Sequence, residues 1–234
     1  MGLKPLLYFL LLFFPILVNA KDVIRLGYLE YPPSVYSESE NIPKGSVIDF
    51  IEQSLEPHFK IKWSKIPVGR VRWAFENQVI DAYPFLIYTK DREEWVHYFK
   101  KPYVTIQNVI CSKKGIARPA ESLSSLADDF AGSTLVYPLN NASSNYPFLS
   151  DTRVTQLKIE FTNYIERSLS LLEKGRANYV YFPSRGPLER AGKMQGLSCK
   201  NIGNRLGLYF AVNKNYKLTP RLEKIFDSID TWEN

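Results

Sequence analysis

The sequence predicts an α/β protein of two lobes, with the second inserted into the first and a pair of crossing strands joining them. Three observations predict it. Strand and helix patterns alternate along both halves of the chain, two long apolar strands over 104–111 and 205–212 bracket the second half, and an amphipathic helix over 219–229 returns to the first. Alternation at these lengths makes a parallel sheet with helices on its faces. Lobe 1 is therefore expected over 21–105 and again over 205–234, where a return strand and the C-terminal helix rejoin it, and lobe 2 over 106–204.

Residues 1–20 precede the fold. They carry one lysine, an apolar run from Leu6 to Val18 and the small-residue ending Val18-Asn19-Ala20, which is the pattern of a cleaved secretory signal peptide. Pro15 interrupts the run, and no cysteine follows the break to take a lipid anchor. The mature chain, expected from Lys21, has about 214 residues, enough for one large domain or two small lobes with real cores. It opens with an alternating strand over 22–28 and the turn Tyr31-Pro32-Pro33-Ser34. A helix follows from Gly45-Ser46, with Val47, Ile48, Phe50, Ile51 and Leu55 at helical spacing, and Pro57 ends it. A strand over 59–63, a helix over 67–78 and a strand over 82–88 complete the first unit. The second unit reads as helix 122–130, strand 133–137, a polar turn at 140–144 entering another helix, strand 154–161, helix 163–174 and strand 177–182. No internal sequence repeat and no low-complexity linker interrupts this order.

Composition narrows the chemistry. The formal charge is +6, but the basic residues are scattered and form no tract, which argues against a nucleic-acid partner. Cys111 and Cys199, in a chain sent to an oxidising compartment, are expected to form a disulfide, worth roughly 4 to 5 kcal/mol for so long a loop. The two histidines make no cluster with ligand spacing, and neither cysteine has a histidine nearby. No metal, cofactor or thiol nucleophile is expected.

The stretch 81–103 carries the candidate site. An uncharged apolar and aromatic run stops at Thr89-Lys90-Asp91-Arg92, where a polar turn is expected to open a helix through Trp95 and Val96. A hydroxyl and a guanidinium three residues apart on a strand-to-helix turn are suited to an anion. The same residues also suit a simple N-cap with a solvated arginine beside it. Ligands of such folds bind at the carboxyl ends of the strands, which gathers loops 28–36, 67–73, 84–92 and 138–145 around one cleft.

With that layout, the chain resembles the family-3 bacterial extracellular solute-binding proteins over essentially all of its mature length. The residues that carry the resemblance are Tyr31-Pro32-Pro33, Gly45-Ser46-Val47-Ile48-Asp49, Ile80-Asp81-Ala82, Thr89 with Arg92 leading to Pro102-Tyr103, Gly175-Arg176-Ala177, and Gly207-Leu208 on to Val212. The resemblance implies the type II periplasmic-binding-protein fold, a two-strand hinge, a periplasmic location, a small-molecule ligand, a monomer and an inner-membrane ABC permease as partner. It also implies that Arg92 grips a ligand carboxylate and that Tyr31 packs over the ligand.

Two departures redirect the ligand. Amino-acid receptors of this family usually place an aspartate after the strand following Gly-Arg to pair with the ligand's ammonium. Here that stretch reads Asn178-Tyr179-Val180-Tyr181-Phe182-Pro183, and a buried, unpartnered ammonium costs several kcal/mol. The hydroxyl-rich segment expected before Thr89 is Pro84-Phe85-Leu86-Ile87. A small anionic or carboxylate-bearing solute other than a standard α-amino acid is therefore expected, bound for uptake by a protein that is not an enzyme. Arg70, at the expected start of the second helix, can join Arg92 on the anion or lie on the surface. Tyr31, Tyr36 and Phe85 can stack on the ligand or fill the core, and Asn141 and Ser143 can supply donors from lobe 2. Two alternatives remain open: a cyclohexadienyl-dehydratase-like enzyme on the same scaffold, for which Glu30 is the best acid or base, and a ligand-sensing module of a signalling system.

Overall fold

The computed structural model describes residues 21–114, 128, 130–139, 151–161, 163–190 and 192–228. The expected leader, most of the expected helix over 122–130 and the polar turn at 140–144 lie outside these residues.

In chain order the first lobe contains β1 (Asp22–Tyr28), the hairpin of β2 (Tyr36–Ser39) and β3 (Ile42–Lys44), α1 (Ser46–Leu55), β4 (Phe59–Lys65), α2 (Val71–Glu76), β5 (Ala82–Ile87), β6 (Val96–Tyr98) and β7 (Val104–Ile106). The second contains β8 (Val109–Lys113), β9 (Thr134–Pro138), β10 (Thr155–Ile159), α3 (Tyr164–Glu173), β11 (Tyr179–Phe182), α4 (Gly186–Arg190) and β12 (Leu197–Asn201). The chain then returns through β13 (Leu206–Asn213) and α5 (Thr219–Asp227). One sheet has the order β4-β1-β5-β13-β6, with β7 also on β13, and the other β10-β9-β11-β8-β12. Each has three parallel strands followed by an antiparallel one, β13 in the first sheet and β8 in the second. The two lobes thus share a topology that no sequence repeat announced.

The helices form where one face can be buried. In α1 the residues Val47, Ile48, Ile51 and Leu55 are buried, spaced to make one stripe, and the acidic Asp49 sits in the first turn where the helix dipole favours it. That stripe joins Ile24, Leu26, Phe59, Phe210 and Leu222 on one face of the first sheet, and α2 covers the other with Val71, Ala74 and Phe75. The second sheet shows a strict period of two. Ile110, Leu135, Tyr137, Tyr179 and Tyr181 face one core, while Val109, Cys111, Val136, Val180 and Phe182 face the other, under α3.

Several expectations need correction. The long strand over 104–111 is two strands, β7 in the first sheet and β8 in the second, because the chain changes sheets at Gln107 and Asn108. There the Gln107 side-chain amide donates to the Ile202 and Gly203 carbonyls at 3.1 and 3.3 Å, serving backbone acceptors beside the break. The helix expected through Trp95 and Val96 is only a 3-10 turn, Lys90–Glu94; Val96 then starts β6, whose pairing with Asn213 on β13 overrides the weak helical pattern. The second helix is shorter than 67–78 and is preceded by a 3-10 turn over Val68–Arg70. Strand β12, helix α4 and the β2-β3 hairpin carry too little periodicity to have been expected.

The disulfide forms. Cys111 and Cys199 are directly opposite one another on antiparallel β8 and β12, with Cα atoms 4.1 Å apart. It therefore ties the edge strand of the second sheet to its neighbour and does not reach the return strand β13.

Candidate functional site

A cavity of about 110 Å3 lies between the two sheets. Its lobe 1 wall comes from the loop after β1 (Leu29, Tyr31, Ser34, Val35), the start of α1 (Val47), the end of β5 (Leu86, Ile87) with Phe85, and Arg92. Its floor is the apolar face of the crossing strands, Val104, Ile106 and Leu208, with Val104 and Leu208 paired across β7 and β13. Lobe 2 contributes Phe161 after β10, Pro183 and Ser184 after β11, and Pro187 on α4. These are the carboxyl ends of the parallel strands, the expected ligand position in open α/β sheets.

The loop after β1 is held by its own backbone. Tyr31 donates to the Val35 carbonyl at 2.8 Å, Ser34 and Val35 both donate back to the Tyr31 carbonyl, and the Pro32-Pro33 peptide is cis. This loop packs on Gly45, whose φ of 118° lies in the region that favours glycine and where a Cβ would collide with the Ser34 carbonyl. Glycine here lets the start of α1 approach the loop that carries Ser34.

Arg92 supplies the cavity's charge. It sits on the 3-10 turn after β5, half-buried, and its Nη1 donates to the Ile87 carbonyl at 2.9 Å, an acceptor it shares with the Tyr98 hydroxyl at 3.2 Å. Burial pushes the Tyr98 hydroxyl up, and the adjacent Arg92 guanidinium opposes that shift; Tyr83, fully buried, is pushed up in the same way, again with Arg92 opposing. Among the described residues no carboxylate pairs with Arg92. Its charge is thus positioned by neutral oxygens and is not neutralised.

Thr89 occupies the N-cap position of that turn, yet its side chain makes no capping hydrogen bond. The residue is buried and its Oγ1 has no hydrogen-bond partner; its carbonyl accepts from the Arg92 N–H at 3.1 Å, and its backbone is also hydrogen-bonded to the Tyr98 hydroxyl. The N-cap geometry is present without the N-cap hydrogen bond.

The structure brings Tyr31, Phe85 and Arg92 to the cavity, with Thr89 buried on the same turn as Arg92. Tyr31 is 9% exposed, and its ring meets Phe161 of lobe 2 edge-on at 5.8 Å, so it bridges the lobes as well as lining the cavity. Phe85 both lines the cavity and packs into the two cores of lobe 1. Arg70 is exposed at the end of its 3-10 turn, and Tyr36, 39% exposed, begins β2; neither lines the cavity. Asn141 and Ser143 lie outside the described residues. Sequence reasoning missed the floor residues Val104, Ile106 and Leu208, because the alternation of β7 marks Val104 and Ile106 as buried without marking them as ligand-facing, and missed Phe161 and Pro187 of lobe 2.

Glu30 is not on this cavity. It lines a smaller recess beside it, of about 40 Å3, with Lys65, Glu160 and Phe161. Burial pushes its carboxyl up, but hydrogen bonds from Lys65 and Ser37 outweigh that and hold it below the usual carboxylate range; the Lys65 Nζ is 2.7 Å away. Among the described residues no three His, Cys, Asp or Glu side chains come together as metal ligands, and no helix is long and apolar enough to cross a membrane.

No protein-family model matches the chain, and no curated protein matches it by sequence. Solved structures do match. An ancestral arginine-binding protein bound to arginine superimposes with a TM-score of 0.71 at 19% identity, covering 88% of this chain and 92% of that one. The solute receptor for L-cysteine of Neisseria gonorrhoeae gives 0.71 at 16% identity, covering 88% and 83%. The fold is the type II periplasmic-binding-protein fold. An ancestral amino-acid-binding protein described as a precursor of cyclohexadienyl dehydratase shares it, with a TM-score of 0.69 at 17% identity over 88% of this chain and 86% of that one. Identities this low establish the type II fold alone, and the cavity described above lies between its two lobes.

Proposed function

We propose that this chain is an exported solute-binding protein, a divergent member of the family-3 extracellular solute-binding proteins, which closes two lobes over a small carboxylate-bearing solute gripped by Arg92. The observation that carries this reading is the half-buried Arg92 guanidinium, held by the Ile87 carbonyl, on a cavity where no described carboxylate neutralises it. A charge kept unpaired in an apolar wall is costly unless an anion meets it. The structural neighbours that bind arginine and L-cysteine support a solute-binding role. The Cys111–Cys199 disulfide and the leader pattern over 1–20 support the periplasm, and uptake through an inner-membrane ABC permease follows from the family resemblance, with lobe limits at 21–105, 106–204 and 205–234.

Binding is favoured over turnover. Among the described residues the cavity is lined by no carboxylate and no imidazole, and Glu30 is held ionised by Lys65 in the neighbouring recess. The test is a thermal-shift screen of wild type and Arg92→Ala against carboxylates, amino acids and neutral solutes. A ligand at 100 times its dissociation constant adds about 2.7 kcal/mol of stability. A shift that disappears in Arg92→Ala supports the reading, and binding that survives the substitution removes Arg92 from the site.

A further inference from the structure

The cavity carries information about the whole solute beyond its charged end. Apart from Arg92, the polar side chains on its wall are the hydroxyls of Tyr31, Ser34 and Ser184; every other described lining residue is aliphatic, phenylalanine or proline. Among the described residues the lobe 2 side, where an ammonium or a second acid would have to be met, offers Phe161, Pro183 and Pro187 with one neutral hydroxyl, that of Ser184. Proline has no backbone N–H, Phe161, Pro183 and Pro187 have no polar side-chain atom, and a serine hydroxyl carries no charge. No carboxylate is among the described lining residues; the neighbouring recess holds Glu30, already paired with Lys65, and Glu160.

We propose that the solute is a monocarboxylate whose remaining body is uncharged and apolar, with no ammonium group and no second acid. This rests on the reading of Arg92 as the carboxylate's anchor. Size sets a further bound: a protein cavity of about 150 Å3 takes a benzene ring, so about 110 Å3 takes a body of roughly four to five carbons in this arrangement of the lobes. A short branched chain fits; a long fatty acid does not. Discrimination comes from the wall. An apolar body gains from burial against Val35, Val47, Val104 and Leu208, whereas an added ammonium loses its water and finds no charged acceptor among the described lining residues.

The test compares matched pairs on one carbon skeleton, measured by isothermal titration with the wild-type mature protein: 4-methylpentanoate against leucine, 3-methylbutanoate against valine, and hexanoate against hexanedioate, with 4-methylpentanamide as the uncharged control. The expected result is binding of the simple monocarboxylates, with the amino acid, diacid and amide of each set at least ~10-fold weaker, and loss of that binding in Arg92→Ala. Leucine, valine or hexanedioate binding within threefold of its partner overturns the apolar-body inference, and the Arg92 reading then stands if Arg92→Ala abolishes that binding. No binding by any carboxylate, or binding unchanged in Arg92→Ala, overturns the anchor and this inference with it.

Discussion

Replacing Thr89 with valine separates a structural hydroxyl from a functional one. Thr89 is 9% exposed, its Oγ1 makes no hydrogen bond, and its backbone is extended at φ −141° and ψ 144°. A buried hydroxyl without a partner costs about 1–3 kcal/mol, and valine has nearly the same shape without it. The extended backbone also suits a β-branched side chain. Thr89→Val is therefore expected to stabilise the ligand-free protein by about 1 kcal/mol, a rise of roughly 2–4 °C in Tm for a chain of this size. If the hydroxyl is kept to donate to the bound carboxylate, the same variant weakens ligand binding by ~10-fold or more, the loss of one hydrogen bond to a charge. Scanning calorimetry of the ligand-free variant and titration of the ligand read the two effects separately. A variant that loses 1 kcal/mol or more when empty, or that binds ligand as wild type does, refutes the reasoning.

Three further outcomes are expected. Cys111→Ala with Cys199→Ala opens an 88-residue loop and should lose about 4–5 kcal/mol in urea denaturation while leaving the ligand dissociation constant within about threefold, because the bridge lies within the second sheet. A loss below about 1 kcal/mol would contradict the loop-entropy account. Gly45→Ala places a Cβ against the Ser34 carbonyl at a φ of 118°, and a Tm drop equivalent to about 2 kcal/mol with weaker ligand binding is expected; an unchanged Tm would show that the loop after β1 can retreat. At high pH, burial pushes the Tyr216 phenol up to about 12 and pushes Tyr83, Tyr103 and Tyr164 up as well. The folded state keeps protons that the unfolded chain gives up near pH 10, so this stability is complete below about pH 10 and is lost as pH rises towards 12. Phenolate absorbance should therefore rise in part only with unfolding, and full ionisation near pH 10 in a protein with native circular dichroism would count against it.

The fold was legible because its elements are periodic. The stripe of α1 and the alternation through β8, β9 and β11 each state which face is buried, and the β-α alternation states that the sheets are largely parallel. What was not legible was decided at long range. Whether 104–111 is one strand or two depends on the Gln107 amide reaching carbonyls 95 and 96 residues away. Whether Val96 extends a helix or begins a strand depends on β13. In the site, Arg92 could be found because Thr89-Lys90-Asp91-Arg92 breaks off an uncharged apolar strand and Thr89 with Arg92 is among the residues that carry the family resemblance. Val104, Ile106 and Leu208 could not, because apolar residues in a strand look the same whether they face a core or a ligand. Arg70 and Tyr36 illustrate the converse: residue type suited them to a ligand, but the turn over Val68–Arg70 and the start of β2 leave both outside the cavity.

The division of labour between the lobes bears on how a bound solute closes them. Arg92, Phe85 and the floor residues Val104 and Leu208 all belong to the first sheet or its loops, so lobe 1 alone presents the charge and much of the apolar surface. Lobe 2 adds Phe161, Pro183, Ser184 and Pro187, and Phe161 already meets Tyr31 across the cleft. The crossings lie beside the floor, with Ile202 donating to the Asn108 carbonyl at 2.9 Å next to Gln107, so a small rotation there moves the roof over the ligand. On the proposed reading, lobe 1 captures the solute and lobe 2 contributes mainly by removing apolar surface from water, with few new polar contacts. Burial of that kind has a thermodynamic mark, a negative heat-capacity change on binding. Titration of a bound monocarboxylate at several temperatures should give a clearly negative slope of enthalpy against temperature, and a smaller one in Phe161→Ala, where part of the roof is gone. A slope near zero in the wild type would mean that closure does not bury the apolar roof, and the role assigned to lobe 2 would fall even with Arg92 still holding the carboxylate.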